Sequence, residues 1–201
     1  MQCFTLSQFA ANYSHLVRVK TALQILPGNH SLEVFLTVKN IIFFSISPSS
    51  GDFSSLVKPV ITCDLSMEIQ FDSIVHVLIE GITFIGCVQT KVHAVKHFII
   101  LATDLSGNGV PGTALLVSKS IVHTENCSFT RFCRSLSSVL QHNNKVTGPG
   151  VIACTESHIW ISNSTFTHNR GGHGHAISAQ SCSILTAVSY THLTLPTIYS
   201  V

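Results

Sequence analysis

Charged side chains are scarce in this sequence. Lysine and arginine number 11 and aspartate and glutamate 9 among 201 residues, a tenth of the chain. The two signs nearly cancel and neither clusters, so there is no basic stripe to neutralise phosphates, and nucleic acid is excluded as a partner. Long apolar runs are missing as well. Blocks such as Ile41 to Phe44 and Phe98 to Ala102 fall far short of the ~18–20 residues that cross a bilayer, so no transmembrane segment is expected. The seven cysteines include no CxxC pair, which argues against structural zinc. No GxSxG is present, and Gly107-Asn108-Gly109-Val110-Pro111-Gly112 lacks the Lys-Ser/Thr of a phosphate loop and reads as a turn. What is abundant is apolarity in short pieces. A hydrophobic content of 45% and a mean hydropathy of +0.41 exclude a disordered chain, and the length suffices for one core or a short repeat array.

The cysteines (Cys3, Cys63, Cys87, Cys127, Cys133, Cys154, Cys182) are scattered, which fits an oxidising compartment. Four glycosylation triplets, at Asn12, Asn29, Asn126 and Asn163, point the same way. Met1 to Thr5 has neither the charge nor the apolar core of an export signal. The expectation is a secreted or cell-surface chain truncated at both ends, its leader lying upstream. The stretch Val188 to Thr197 (Val-Ser-Tyr-Thr-His-Leu-Thr-Leu-Pro-Thr) resembles the translation of a sequencing-library adapter. Residues 188–201 are therefore set aside as a non-native tail, with residues 1–22 as an N-terminal segment or cap and 23–187 as the folded array.

That array shows itself as a repeat. Leu36-x-Val38-x-Asn40-x-x-Phe43, Val77-x-Ile79-x-Gly81-x-x-Phe84, Val122-x-Thr124-x-Asn126-x-x-Phe129 and Ile159-x-Ile161-x-Asn163-x-x-Phe166 align. Each opens with the period-two alternation of a strand. Each then bends at Asn or Gly, which accept the left-handed backbone of a tight turn, and the Phe returns to the interior. Strands beginning at Met67, Gly112 and Gly150 precede the bends at Gly81, Asn126 and Asn163 at a nearly constant distance, and Gly174 to Ala179 repeats the strand.

One such coil buries its apolar row only against the next coil, ~4.8 Å along the axis, so like residues fall on like. The expected fold is all-β, a single-stranded right-handed parallel β-helix. Phenylalanines 43, 84, 129 and 166 should form one axial column, and Asn40, Gly81, Asn126 and Asn163 one row of bends, with inward asparagines joined as a ladder. An inward asparagine cannot carry a sugar, which leaves Asn12 and Asn29 as the expected glycan acceptors. Hairpins would instead need Asn-Gly turns between strand pairs, and the sequence has one, Asn108-Gly109. The wealth of Ser, Thr, Val and Ile and the lack of 3.6-residue periodicity disfavour helix.

The stretch Asn163-Ser164-Thr165-Phe166-Thr167-His168-Asn169, followed by Gly171-Gly172-His173-Gly174-His175-Ala176-Ile177, resembles the coil of pectin-lyase-like right-handed β-helix proteins, among them polymorphic outer-membrane protein repeats and invertebrate surface proteins. Leu26-Pro27-Gly28-Asn29-His30-Ser31-Leu32 resembles the opening coil of the latter. The resemblance spans Leu23 to Ala187, and His173-Gly174-His175 departs from the usual glycine run. It implies a fold and an extracellular setting without implying catalysis.

Candidate sites are thin. His168, His173 and His175 could ligate zinc or copper, but no Cys, Asp or Glu adjoins them, and they read as decoration of a glycine-rich loop. Glu80 and Glu125 precede equivalent bends. They would pair, for calcium or as an acid–base couple, only if the stretch from Phe84 to Pro111 were a loop and not a further coil. Lyases of this fold use a calcium-binding acidic cluster with a basic proton acceptor and the hydrolases use clustered aspartates. Here the four aspartates (Asp52, Asp64, Asp72, Asp104) share no coil position, and Arg131, Arg134 and Arg170 have no acidic neighbour in sequence. The expectation is a structural or binding module for glycans or extracellular proteins, with no cofactor, metal or catalytic residue. The alternative is a polysaccharide lyase or glycoside hydrolase.

Overall fold

The computed structural model describes residues 5–12, 20–49, 58–64, 68–87, 89–108, 112–132, 151–169 and 176–187. A short helix α1 (Leu6–Asn12) comes first. Three strands per turn follow, in six coils: β1 (Lys20–Ile25), β2 (Asn29–Leu32), β3 (Leu36–Lys39); β4 (Phe43–Pro48), β5 (Val60–Cys63), β6 (Glu68–Asp72); β7 (His76–Glu80), β8 (Thr83–Ile85), β9 (Gln89–His93). Then come β10 (His97–Leu101), β11 (Asp104–Ser106), β12 (Thr113–Ser118); β13 (Ile121–Glu125), β14 (Ser128–Thr130), β15 (Ile152–Thr155); and β16 (His158–Ser162), β17 (Thr165–Thr167), β18 (Ile177–Gln180). Strand β19 (Ser183–Ala187) opens a seventh.

Every third strand joins the same sheet. Sheet A runs β1-β4-β7-β10-β13-β16-β19, sheet B β2-β5-β8-β11-β14-β17 and sheet C β3-β6-β9-β12-β15-β18, all parallel. The chain is thus a parallel β-solenoid. Helix α1 is closed by a reciprocal cap in which Thr5 N donates to Gln8 Oε1 and Gln8 N to Thr5 Oγ1. It lies against β2, where Ser7 Oγ donates to the Ser31 carbonyl at 3.0 Å.

Alternation fills the interior. On sheet A, Phe44, Val77, Phe98, Val122 and Ile159 occupy one buried column and Ile46, Ile79, Ile100, Thr124 and Ile161 the next. Aromatic rings cross between sheets: Phe71 of sheet C lies 5.7 Å from Phe44 and 5.3 Å from Phe98. On sheet B, Ile61, Phe84, Leu105, Phe129 and Phe166 stack, with the last two rings 4.8 Å apart.

The repeat differs from its sequence reading in three respects. First, Leu36 and Val38 lie on sheet C, so Asn40 bends at the corner between sheets C and A while Gly81, Asn126 and Asn163 bend between A and B. Phe43 then starts β4 on its outer side, paired with His76, and Phe44 takes the buried column. The motif recurs because both corners use the same device, a left-handed residue between two alternating strands. Second, the stretch from Phe84 to Pro111 contains β9, β10 and β11, a complete turn of the solenoid, so Leu105 intervenes between Phe84 and Phe129.

Third, the bends at Asn126 and Asn163 point their side chains outward. Both are exposed, and the Asn163 carboxamide Nδ2 donates to Asn126 Oδ1 on the outside of the corner. The inward ladder belongs to the residue after the bend. Ser120, Ser157 and Ser164 are buried and donate to the carbonyl two residues back at 2.7–2.8 Å. Their oxygens accept the N–H of the corner residue one coil earlier: Val95 N to Ser120, Ser120 N to Ser157 and Cys127 N to Ser164. A left-handed residue turns the chain so that the next side chain, not its own, faces in.

Twelve non-glycine residues hold φ between 44° and 57° at these corners. That conformation costs an L-residue about 1–2 kcal/mol. Backbone bonds to the adjacent coil offset it: Ala94 N donates to the Ser118 carbonyl at 3.0 Å, Ala102 N to Glu125 at 2.9 Å and Lys119 N to Thr155 at 3.2 Å.

Candidate functional site

Each sheet turns a different chemistry outward. Sheet C carries ordinary polar pairs, such as Lys91 Nζ to Glu68 Oε2 at 2.6 Å and His93 Nδ1 beside Ser118 Oγ at 2.8 Å. Sheet B presents hydroxyls at alternate positions, Thr83, Ser128 and Thr165 in one column and Thr62, Ser106, Thr130 and Thr167 in the other. Its Asp104 is paired with Lys58 at 2.8 Å.

Sheet A is the unusual face. Between Lys20 and Ser183 at its ends, one outward column holds Phe43, His76, His97, Ile121 and His158, and the next, beyond Ser45, holds Leu78, Ile99, His123, Trp160 and Leu185. These are apolar or aromatic where a solvated strand would carry charge. The His76 and His97 rings stack at 4.9 Å with 10° between planes, and His158 lies 6.5 Å from Trp160 with 21° between them. Trp160, the one tryptophan of the sequence, is 39% exposed and Leu185 63%. Polar groups border the face on one side, with His123 Nε2 3.9 Å from Glu125 Oε2.

A groove of about 410 Å³ adjoins this face at the corner between sheets C and A, bordered by Lys96, Lys119, Glu156 and His158. Its origin is a change in corner length. Ala94 to His97 precede Phe98, whereas only Lys119 to Ile121 precede its partner Val122, and Glu156 to His158 precede Ile159. The inward residue changes with it, from Ile74 and Val95 to Ser120 and Ser157. The shorter corner leaves the longer one overhanging, and the step between them is the groove.

Glu80 and Glu125 do not pair, because Glu80 registers with Leu101 and Leu101 with Glu125. An intervening coil holds them about two strand spacings of ~4.8 Å apart, so the two carboxylates are not in direct contact and do not share an ion. Asp104 is engaged by Lys58, and Asp72 accepts from Ser73 Oγ at 2.9 Å. His168 and Arg131 are exposed bend residues at the corner after sheet B. His173, His175, Arg134, Arg170 and Asp52 lie outside the described residues, as does the tail from 188 to 201. Among the described residues, no three His, Cys, Asp or Glu side chains gather where they could hold a metal ion.

Asn29 is exposed at the start of β2, and the side chain of Asn12 lies outside the described residues. Gly81 is a bend with φ 64°, where an added Cβ would meet Pro48 at 3.1 Å.

Two cysteine pairs that sequence left unassigned are joined across neighbouring coils, Cys63 with Cys87 and Cys154 with Cys182, at Cα separations of 4.8 and 6.4 Å. Cys127 is a buried free thiol whose Sγ donates to the Glu125 carbonyl at 3.2 Å. Burial pushes its ionisation up, only partly opposed by backbone hydrogen bonds.

Sequence reading passed over the outward row of sheet A and the groove beside it. The signal for the row was present in Ile159-Trp160-Ile161, since alternation that buries both isoleucines must expose the ring between them. No helix among the described residues is long and apolar enough to cross a membrane. Comparison with protein-family models, with curated proteins and with solved structures returned no match.

Proposed function

We propose that this solenoid is an extracellular binding module of the pectin-lyase-like type, and that its ligand, a glycan or an extracellular protein, lies along the outer face of sheet A. The carrying observation is the composition of that face. Six outward positions in two adjacent columns hold Phe43, Leu78, Ile99, Ile121, Trp160 and Leu185, with a stacked histidine pair among them. Flat aromatic surfaces suit the faces of sugar rings and the apolar anchors of protein partners alike. The groove at Lys96 and Lys119 borders the same surface and adds cationic donors to it.

Two disulfides support the extracellular setting, because such bonds persist where glutathione does not reduce them. The catalytic alternative, a polysaccharide lyase or glycoside hydrolase of the same fold, has no adjacent Glu80–Glu125 pair to draw on, since Leu101 stands between them in register.

Trp160 makes the reading testable without labels. Oligosaccharides of neutral and acidic type, and extracellular matrix proteins, are titrated while its fluorescence is followed. A ligand on sheet A changes the emission. Trp160→Ala weakens that binding roughly 30-fold or more, the effect of a ~2 kcal/mol hot spot, measured by calorimetry. Binding of unchanged strength in Trp160→Ala would place the ligand elsewhere and remove sheet A from the proposal.

A further inference from the structure

We propose that Asn163 is the attachment point of an N-linked glycan, held outside the solenoid by the carboxamide contact at the corner between sheets A and B. The proposal rests on the extracellular reading above, because the modifying transferase works in the secretory pathway. The fold sorts the triplet Asn163-Ser164-Thr165 by direction. Asn163 sits at φ 44° with its side chain exposed, Ser164 is 1% exposed inside the coil, and Thr165 stands exposed on the outer side of β17. The amide that accepts the sugar and the hydroxyl that the transferase reads therefore lie on the solvent side, and the residue between them anchors the corner through its bond to the Ser162 carbonyl at 2.8 Å.

The contact with the neighbouring coil is compatible with modification. A primary carboxamide has two N–H groups, and one on Asn163 Nδ2 donates to Asn126 Oδ1. In the transfer an Nδ2–H bond breaks, its proton passes to a base of the transferase and Nδ2 bonds to the sugar C1. The C1–oxygen bond of a polyprenyl diphosphate oligosaccharide breaks, and the lipid diphosphate leaves. One N–H remains on Nδ2 after the transfer, so the modified carboxamide keeps a donor for Asn126.

Asn126 carries the same triplet type one coil away. Two sugars one strand spacing (~4.8 Å) apart would overlap, so one of the pair is used. Ser128 is half-buried where Thr165 is exposed, and Asn126 already serves as the acceptor of the contact, which selects Asn163. A glycan there projects from the corner and leaves the groove at Lys96 and Lys119, on a different corner, uncovered.

The full chain is expressed behind a secretion leader in eukaryotic cells. Glycopeptides are released enzymatically in heavy-oxygen water, so that each occupied asparagine is marked by mass, and disulfides are mapped on the same sample. Asn163 is expected to be marked, with one glycan lost per chain in Thr165→Ala and retained in Thr165→Ser, neither of which alters the carboxamide. Unmarked Asn163, or marking of Asn126 in its place, in protein whose Cys63–Cys87 and Cys154–Cys182 bonds are formed overturns the proposal and leaves the extracellular reading standing. Free thiols at those four positions overturn both.

Discussion

Thr124 stands at a position where the solenoid asks for a hydrocarbon. It is fully buried on the inner side of β13, between Ile100 and Ile161 in a column whose other buried members are isoleucines, and its Oγ1 has no hydrogen-bond partner among the described residues. A buried hydroxyl without a partner costs about 1–3 kcal/mol. Thr124→Val exchanges it for a methyl of similar shape and adds about 0.8 kcal/mol of apolar burial. Both terms have the same sign, so the variant should gain about 2 kcal/mol. For a chain of this size that raises the melting temperature by roughly 4–8 °C. Thr124→Ser, which keeps the hydroxyl and loses the methyl, should move the other way by about 1 kcal/mol. Circular dichroism during urea unfolding gives the sign, and amide exchange in β10, β13 and β16 locates the effect, which matters because repeat arrays need not unfold as one unit. A Thr124→Val protein no more stable than its parent would refute the reasoning, since Oγ1 would then have a partner that compensates its burial.

Removing Cys63–Cys87 by serine substitution of both residues reopens a loop with a sequence separation of 24, worth about 3.5 kcal/mol by loop entropy. Exchange should accelerate in β5 and β8 and not in β16. Removing Cys154–Cys182, with a separation of 28, should accelerate it in β15 and β18 instead. The Cys127 thiol, with its ionisation raised by burial, binds its proton more tightly folded than unfolded. Stability should therefore be intact below the ordinary thiol range and fall as pH rises through it, in the wild type and not in Cys127→Ser. The serine should itself be tolerated within about 1 kcal/mol, since Ser120, Ser157 and Ser164 fill equivalent corners. Denaturant midpoints from about pH 7 to 10, a span that brackets the ordinary thiol range, check both statements.

The parts of this fold that could be read from the sequence are those in which a side chain reports its own environment. Val77, Ile79 and Phe84 alternate around a glycine bend, and Val122, Phe129, Ile159 and Phe166 do so around asparagines. Apolar side chains mark the inside, and Asn or Gly mark a left-handed backbone. The coil through Phe98, Ile100, Ala102 and Leu105 has the same spacing and stayed hidden, because alanine stands at the bend and leucine in the phenylalanine column. Of the twelve non-glycine bends only four are asparagine, and residues such as Lys119, Glu156 and Arg131 do not favour the conformation they adopt. Their geometry is imposed by the adjoining coils, through bonds such as Lys119 N to the Thr155 carbonyl and Glu156 N to that of Gln180. A property set by a neighbour one full coil away has no local signature.

The same limit explains the outer face of sheet A. Outward positions are under no packing constraint, so the pattern that revealed the interior gives no reason to group Phe43, His97 and Trp160, which strand register alone brings onto one face. The groove depends on still less, a single residue present before Phe98 and absent before Val122. So small a difference in corner length is invisible until two coils are laid side by side. Yet it decides where Lys96 and Lys119 stand relative to the aromatic row. The fold of a solenoid is written in what its coils share, and the sites it offers arise where neighbouring coils differ.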